Sequence, residues 1–266
     1  MTVKTYETIK VEKAPSHKGI TIVTLDRPQS MNALNTKMAI ELIDVLTELK
    51  YDEDIRVLII TGSGTKSLCV GADLKERNGM SQKDWKIQHD YFEKVTEGMR
   101  EFPFPVICAV NGYALGGGME IALSCDIRTA AAHAQLGLPE AKLGLIPGIG
   151  GSQLIGRLIP VGIAKEILFS GKRITADEAQ KWGLVNHVYD SENLLEETIR
   201  LAETIASNAP LSLKALKKAV NKGTETDLAT GIALELESYY TCANSEDRLE
   251  GIYAFNEKRA PEWKGK

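Results

Sequence analysis

Phe102-Pro103-Phe104-Pro105-Val106-Ile107-Cys108-Ala109-Val110-Asn111-Gly112-Tyr113-Ala114-Leu115-Gly116-Gly117-Gly118-Met119-Glu120 is the stretch on which the fold turns. From Phe102 to Met119 no residue is charged, and the run is long enough to raise a membrane span. Pro103, Pro105, the Asn111-Gly112 pair and the glycine run Gly116-Gly117-Gly118 argue against a single lipid-facing helix. They fit a buried strand over Val106–Val110, a tight turn, and the opening of a helix. No membrane association is expected.

The pattern repeats on either side. Ile55–Thr61, with Val57-Leu58-Ile59-Ile60 consecutive, reads as a strand buried on both faces, and Ile127–Ala131 and Leu184–Val188 as shorter ones. Between them lie an apolar-periodic helix at Thr36–Lys50, capped by Asn35, and a polar helix at Ser81–Glu101. Two strands at Tyr6–Glu12 and Gly19–Leu25, joined near Ser16-His17-Lys18-Gly19, precede them. Strands alternating with helices predict an α/β chain with parallel pairing and right-handed crossovers. Past Ser191 only helices follow: Leu194–Ser207, Leu211–Asn221, Asp227–Tyr240 and Asp247–Lys258. The expected division is a core over 1–195 and a helical region over 196–266, with no low-complexity linker and no internal repeat between them.

The chain has 266 residues, 43% of them hydrophobic and 26% charged, which excludes intrinsic disorder. A net charge of -4 gives no overall attraction for nucleic acid or anionic lipid. Cys69, Cys108, Cys125 and Cys242 form no CxxC, and His17, His89, His133 and His187 form no HExxH, so reduced thiols and no metal site are expected. Met1–Glu7 contains no apolar leader core, so a cytoplasmic protein is expected.

Gly62-Ser63-Gly64-Thr65-Lys66-Ser67 lacks the spacing of a phosphate loop and reads as a polar strand-to-helix turn. Gly144–Gly151, interrupted by Pro147, reads as a loop before a helix, and no GxSxG occurs. Cys69–Lys75 and Asn111–Glu120 carry more information. Each follows an apolar strand and opens a helix, and glycine lets backbone N–H groups approach a ligand there. Two such turns could each aim one N–H at a single oxygen, which is what an oxyanion hole requires. Glu120 stands alone beside the glycine run, and Glu140 is the only acid between Asp126 and Glu166. Carboxylates in such apolar surroundings are candidates for proton transfer, with surface or salt-bridged positions as the plain alternative.

Asp26-Arg27-Pro28, Asn32-Ala33-Leu34, Gly71-Ala72-Asp73-Leu74-Lys75, Gly116-Gly117-Gly118-Met119-Glu120, Pro139-Glu140 and Ile146–Gly151 occur together and in order. With these motifs the chain, from about Ile20 onward, resembles the crotonase (enoyl-CoA hydratase/isomerase) superfamily. Ala72–Arg77, Cys125–Arg128 and Asp247–Gly251 make the likeness closest to the methylglutaconyl-CoA hydratases, some of which bind AU-rich RNA. The resemblance implies an α/β fold: a crotonase-type ββα spiral core with perpendicular sheets and a C-terminal helical trimerisation region.

It further implies a thioester oxygen held by the N–H groups of Ala72 and Gly117, with Glu120 and Glu140 as catalytic acids and bases. Coenzyme A would arrive as part of the substrate, with no other cofactor. Its binding is assigned by resemblance to Ser30, Met31, Gly71, Asp73, Leu74 and Lys75, with Phe255 and Lys258 reaching a neighbouring subunit's CoA in a trimer or dimer of trimers. Retention of both glutamates favours hydration over the enoyl-CoA isomerisation that needs one, in fatty-acid or branched-chain amino-acid breakdown. A second carboxylate, as in 3-methylglutaconyl-CoA, would call for a cation, and Arg77 is the nearest basic residue in sequence. RNA binding is not expected: the positions matching the lysine row of RNA-binding relatives are Thr36, Ile40 and Asp44, and Glu41 and Glu48 add negative charge.

Overall fold

Val57-Leu58-Ile59-Ile60 and Val106–Val110 are buried along their whole length because each lies inside a sheet, between two bonded neighbours. The computed structural model describes residues 5–266, so Met1 to Lys4, the start of the segment without a leader core, lie outside the described residues. The larger sheet runs β1-β2-β3-β5-β7-β10, from β1 (Ile9–Ala14), β2 (His17–Leu25), β3 (Val57–Gly62), β5 (Val106–Val110), β7 (Ile127–Ala131) and β10 (His187–Tyr189). The smaller runs β4-β6-β8-β9, from β4 (Ser67–Cys69), β6 (Tyr113–Leu115), β8 (Gln135–Gly137) and β9 (Arg173–Thr175). All pairings are parallel except β1 with β2 and β8 with β9.

After β3, β5 and β7 the chain crosses at once to β4, β6 and β8 before a helix or helical turn follows. This is the repeating ββα unit that the resemblance implied. The helices are α1 (Thr36–Leu49), α2 (Leu74–Arg77), α3 (Gln82–Arg100), α4 (Gly117–Leu123), α5 (Gly151–Leu158), α6 (Val161–Ser170), α7 (Ala176–Lys181), α8 (Leu194–Ala206), α9 (Pro210–Gly223), α10 (Leu228–Ala243) and α11 (Glu246–Glu257). None of them is long and apolar enough to cross a membrane.

Several readings shift. Gly62–Ser67 joins strand to strand, not strand to helix. The first strand starts at Ile9 rather than Tyr6, where pairing with Leu25 begins, and Leu184 and Val185 are buried but precede the last strand. The three-residue strands of the small sheet are too short to show a two-residue period. Glu41 points inward, accepting bonds from the Glu7 and Thr8 backbone, so it adds no charge to the outer face of α1.

The helical end is held to the sheets by polar anchors. α8 packs across β2, β3, β5 and β7. Lys217 of α9 reaches in to the Asp126 carboxylate at 2.7 Å and the Phe104 carbonyl at 3.1 Å, while Asp126 also accepts the Val106 N–H. Arg128, almost fully buried, donates to the carbonyls of Leu184, Cys125 and Ala122. Asp247 accepts the N–H groups of Lys264 and Gly265, which straps the tail to α11.

Candidate active site

β4 and β6 are parallel neighbours, so the turns that leave their carboxyl ends lie side by side. One turn carries Val70-Gly71-Ala72 into α2, and the other carries Gly116 into α4. Gly71 has φ +95°, a left-handed conformation suited to glycine. A Cβ on Gly118 would sit 2.0 Å from the Cys69 carbonyl oxygen, so α4 can start against β4 only with glycine there. The Ala72 nitrogen is 3.8 Å from where a Gly117 Cβ would be. Among the described residues neither the Ala72 nor the Gly117 N–H donates to a protein acceptor.

Both open into a cavity of about 310 Å³ whose wall includes Gly71, Ala72, Gly116, Gly117, Glu120 and Glu140. Glu120, on the first turn of α4, is 3% exposed, and its Oε1 accepts the N–H groups of Ile149 at 2.9 Å and Gly151 at 2.8 Å. Burial pushes its carboxyl above the ordinary value, and those two donors pull it partly back. Glu140 begins a 3-10 turn, Glu140–Leu143, with Oε1 against Gly116 and a buried Oε2 that has no partner among the described residues. Burial, with the neighbouring Glu120 charge adding to it, raises Glu140 to about 7. Donors therefore offset burial at one carboxyl, whereas the Oε2 of the other has no partner among the described residues. Such a pair divides into a base and an acid near neutral pH.

Asp73 lies beneath this site, not in its wall. It caps α2 by accepting the Lys75 and Glu76 N–H groups and pairs with Arg27 at 2.9 Å. Burial disfavours its charge, but Arg27 and the α2 donors outweigh that and hold it below the usual carboxylate range. Arg27 also donates to the Ala33 carbonyl, and Asn32 donates to the carbonyls of Ser63 and Ser67. The Asp26–Leu34 motif thus positions the first turn, to which Leu34 is bonded directly.

Further wall comes from the 139–149 segment and from α3, which the sequence marked only as polar. Trp85, His89 and Phe92 face the cavity, one and two turns apart. Arg77 lines it too, its Cζ 5.4 Å from the Trp85 ring and 5.2 Å from the Phe92 ring, with Nε donating to Gln88 at 2.7 Å. No carboxylate among the described residues forms a salt bridge with Arg77. The Trp85, His89, Phe92 stripe was visible in the sequence, but a polar helix with a few aromatics reads equally well as ordinary packing.

The sequence profile of the enoyl-CoA hydratase/isomerase family matches residues 16–266. The chain belongs to the enoyl-CoA hydratase/isomerase family. It is 41% identical over 240 residues to a short-chain-enoyl-CoA hydratase of Clostridium acetobutylicum, covering 90% of this chain and 92% of that one. A mouse mitochondrial methylglutaconyl-CoA hydratase is 37% identical over 268 residues, covering 99% and 85%. A crystal structure of an enoyl-CoA hydratase from Bacillus anthracis superposes with a TM-score of 0.95 at 42% identity, covering 98% and 100%.

Of the residues assigned by resemblance to this family, Gly71, Ala72, Leu74, Gly117, Glu120 and Glu140 share the one cavity. Ser30 and Met31 lie in the loop that Arg27 and Leu34 tie to the first turn, and Lys75 is exposed on α2. Phe255, 83% exposed, and Lys258 lie on and just beyond α11, outside this cavity.

Proposed function

We propose that this family member adds water across the 2,3 double bond of a 2-enoyl-CoA thioester. The observation that carries the reading is the pair Glu120 and Glu140 facing one cavity beside the Ala72 and Gly117 N–H groups, which have no acceptor among the described residues. As water attacks Cβ, negative charge moves to the thioester oxygen, and the N–H groups of Ala72 and Gly117 bind that oxygen more tightly than the neutral carbonyl. Glu120, as carboxylate, takes one proton from the water whose oxygen bonds to Cβ. Glu140, as acid, gives its proton to Cα. The product is the 3-hydroxyacyl thioester, and the cycle closes when the proton on Glu120 returns to Glu140. Coenzyme A enters with the substrate, along Leu74, Lys75 and the Ser30–Met31 loop.

Arg77 favours a second reading of the acyl group. Its guanidinium stands in the cavity wall without a carboxylate partner among the described residues, which suits a substrate bearing a carboxylate, such as 3-methylglutaconyl-CoA. The test is a panel of crotonyl-CoA, 3-methylglutaconyl-CoA and a 3-enoyl-CoA. Hydration of the first two is expected, with kcat/KM higher for the carboxylated substrate and that preference removed by Arg77→Ala. Equal or better turnover of crotonyl-CoA removes the carboxylate reading; conversion of only the 3-enoyl-CoA makes the protein an isomerase.

The C-terminal helices support assembly of like chains into a trimer or a dimer of trimers. An apolar groove of about 940 Å³ runs between α9 and α10, with Leu216, Val220, Leu228, Ile232 and Leu236 exposed around it. Phe255 and Lys258 would then complete a neighbour's CoA site. Light scattering is expected to give a trimer or hexamer, and Lys258→Ala to weaken CoA binding without dissociating it. A stable, fully active monomer contradicts this assembly.

A further inference from the structure

α3 grips the loop that holds Glu120 at two places. Thr96 donates its hydroxyl to the Ile149 carbonyl at 3.1 Å. Two turns earlier on the same face, the His89 ring lies against Gly148, so close that a Cβ there would sit 2.6 Å from the imidazole Cε1. Ile149, itself gripped, and Gly151, two residues further on, supply the N–H groups that hold the Glu120 carboxylate.

The imidazole stacks on Trp85 with centroids 5.0 Å apart and planes 6° from parallel, and its Nε2 is 3.5 Å from the Glu93 carboxylate. Its Nδ1 is buried without a partner among the described residues. A phenylalanine would fill the same slot with no orphaned nitrogen, so packing alone gives no reason for imidazole here.

We propose that His89 is a positioning residue for Glu120: its ring seats the Gly148–Gly151 loop and shares the cavity wall with the catalytic carboxylate, whose charged form it favours. The charged groups around the ring and the loop are Glu93 on α3, Arg77 of α2 across Trp85, Arg100 beside Gly150, and the Glu120 and Glu140 carboxyls in the same cavity wall. Glu93 lies on the Nε2 side of the ring. The attraction of His89 for the Glu120 carboxylate acts in the same direction as the loop N–H groups, favouring the charged base against burial.

The kinetic half of the test rests on the hydratase reading, and the spectroscopic half does not. His89→Phe keeps a ring on Trp85 and removes both nitrogens; His89→Gln keeps a polar group without charge. The pH profile of kcat/KM with crotonyl-CoA is measured for each, together with the titration of the Glu120 carboxyl by carbon NMR in the resting protein, assigned by comparison with Glu120→Gln. In both variants the acid limb and the Glu120 titration are expected to move to higher pH by roughly half a unit, about a threefold loss on the acid side. Unmoved profiles and titration, or a loss equal at every pH, overturn the proposal. A wild type that hydrates nothing defeats the hydratase reading instead, and the NMR titration alone then decides the role of His89.

Discussion

Glu120→Gln and Glu140→Gln are each expected to slow hydration of crotonyl-CoA by roughly 10²–10⁴-fold, the usual contribution of a positioned acid or base. Gln keeps the size of the side chain, and at position 120 its carbonyl oxygen can still accept from Ile149 and Gly151, so the fold should survive. What is lost is the proton transfer. The wild-type rate should also fall as pH rises past about 7, where Glu140 gives up the proton it must deliver.

The same carboxyl makes a stability prediction of known sign. An acid whose folded value is raised favours folding less as pH climbs from its unfolded value, about 4.3, through its folded one. Glu140→Gln should therefore raise Tm at pH 8 and leave it nearly unchanged at pH 4. An inactive variant that is also more stable in alkali would mark Glu140 as a strained catalytic group. Near wild-type hydration by either variant removes the mechanism.

Gly117→Pro should lower kcat by roughly 10²–10³-fold, the cost of one lost oxyanion donor. Gly117 is the first residue of α4, where proline is compatible with a helix and where no helical bond uses the N–H. The substitution thus deletes a donor without breaking the helix, although the ring will crowd the thioester and raise KM as well. Gly117→Ala is the control. Its Cβ would meet Gly71 Cα at 3.6 Å and the Ala72 nitrogen at 3.8 Å, ordinary contact distances, and its N–H remains. Circular dichroism and kcat for the pair separate the loss of a donor from the loss of a fold. Full activity in Gly117→Pro would exclude this N–H from catalysis.

Much of this was legible in the sequence, for unequal reasons. The buried strands at Val57–Gly62 and Val106–Val110 and the helix capped by Asn35 follow from apolar runs and capping chemistry. The small sheet does not, because three residues carry no period, and its strands are set by pairing across distant repeats. Glu120 and Glu140 stood out by isolation, but only the fold brings Ile149 and Gly151 to one and leaves the Oε2 of the other without a partner among the described residues. Arg27, Asp73, Arg128 and Asp247 belong to the stretches that carried the family resemblance. In the structure they hold turns and helix ends, so a shared motif can mark architecture as readily as chemistry. Trp85 and His89 went unmarked because nothing in a polar helix tells which face will meet a cavity.

The central claim is that both carboxyls act on one water and one enoyl thioester. Its most direct test is the product formed from crotonyl-CoA in D2O enriched in the heavy oxygen isotope, read by mass spectrometry. The account predicts a 3-hydroxyacyl-CoA carrying heavy oxygen on Cβ and one deuterium on Cα, with both labels lost together in Glu120→Gln and Glu140→Gln. Deuterium entering the acyl chain with no heavy oxygen at Cβ would mean proton shuttling without water addition, and would contradict it.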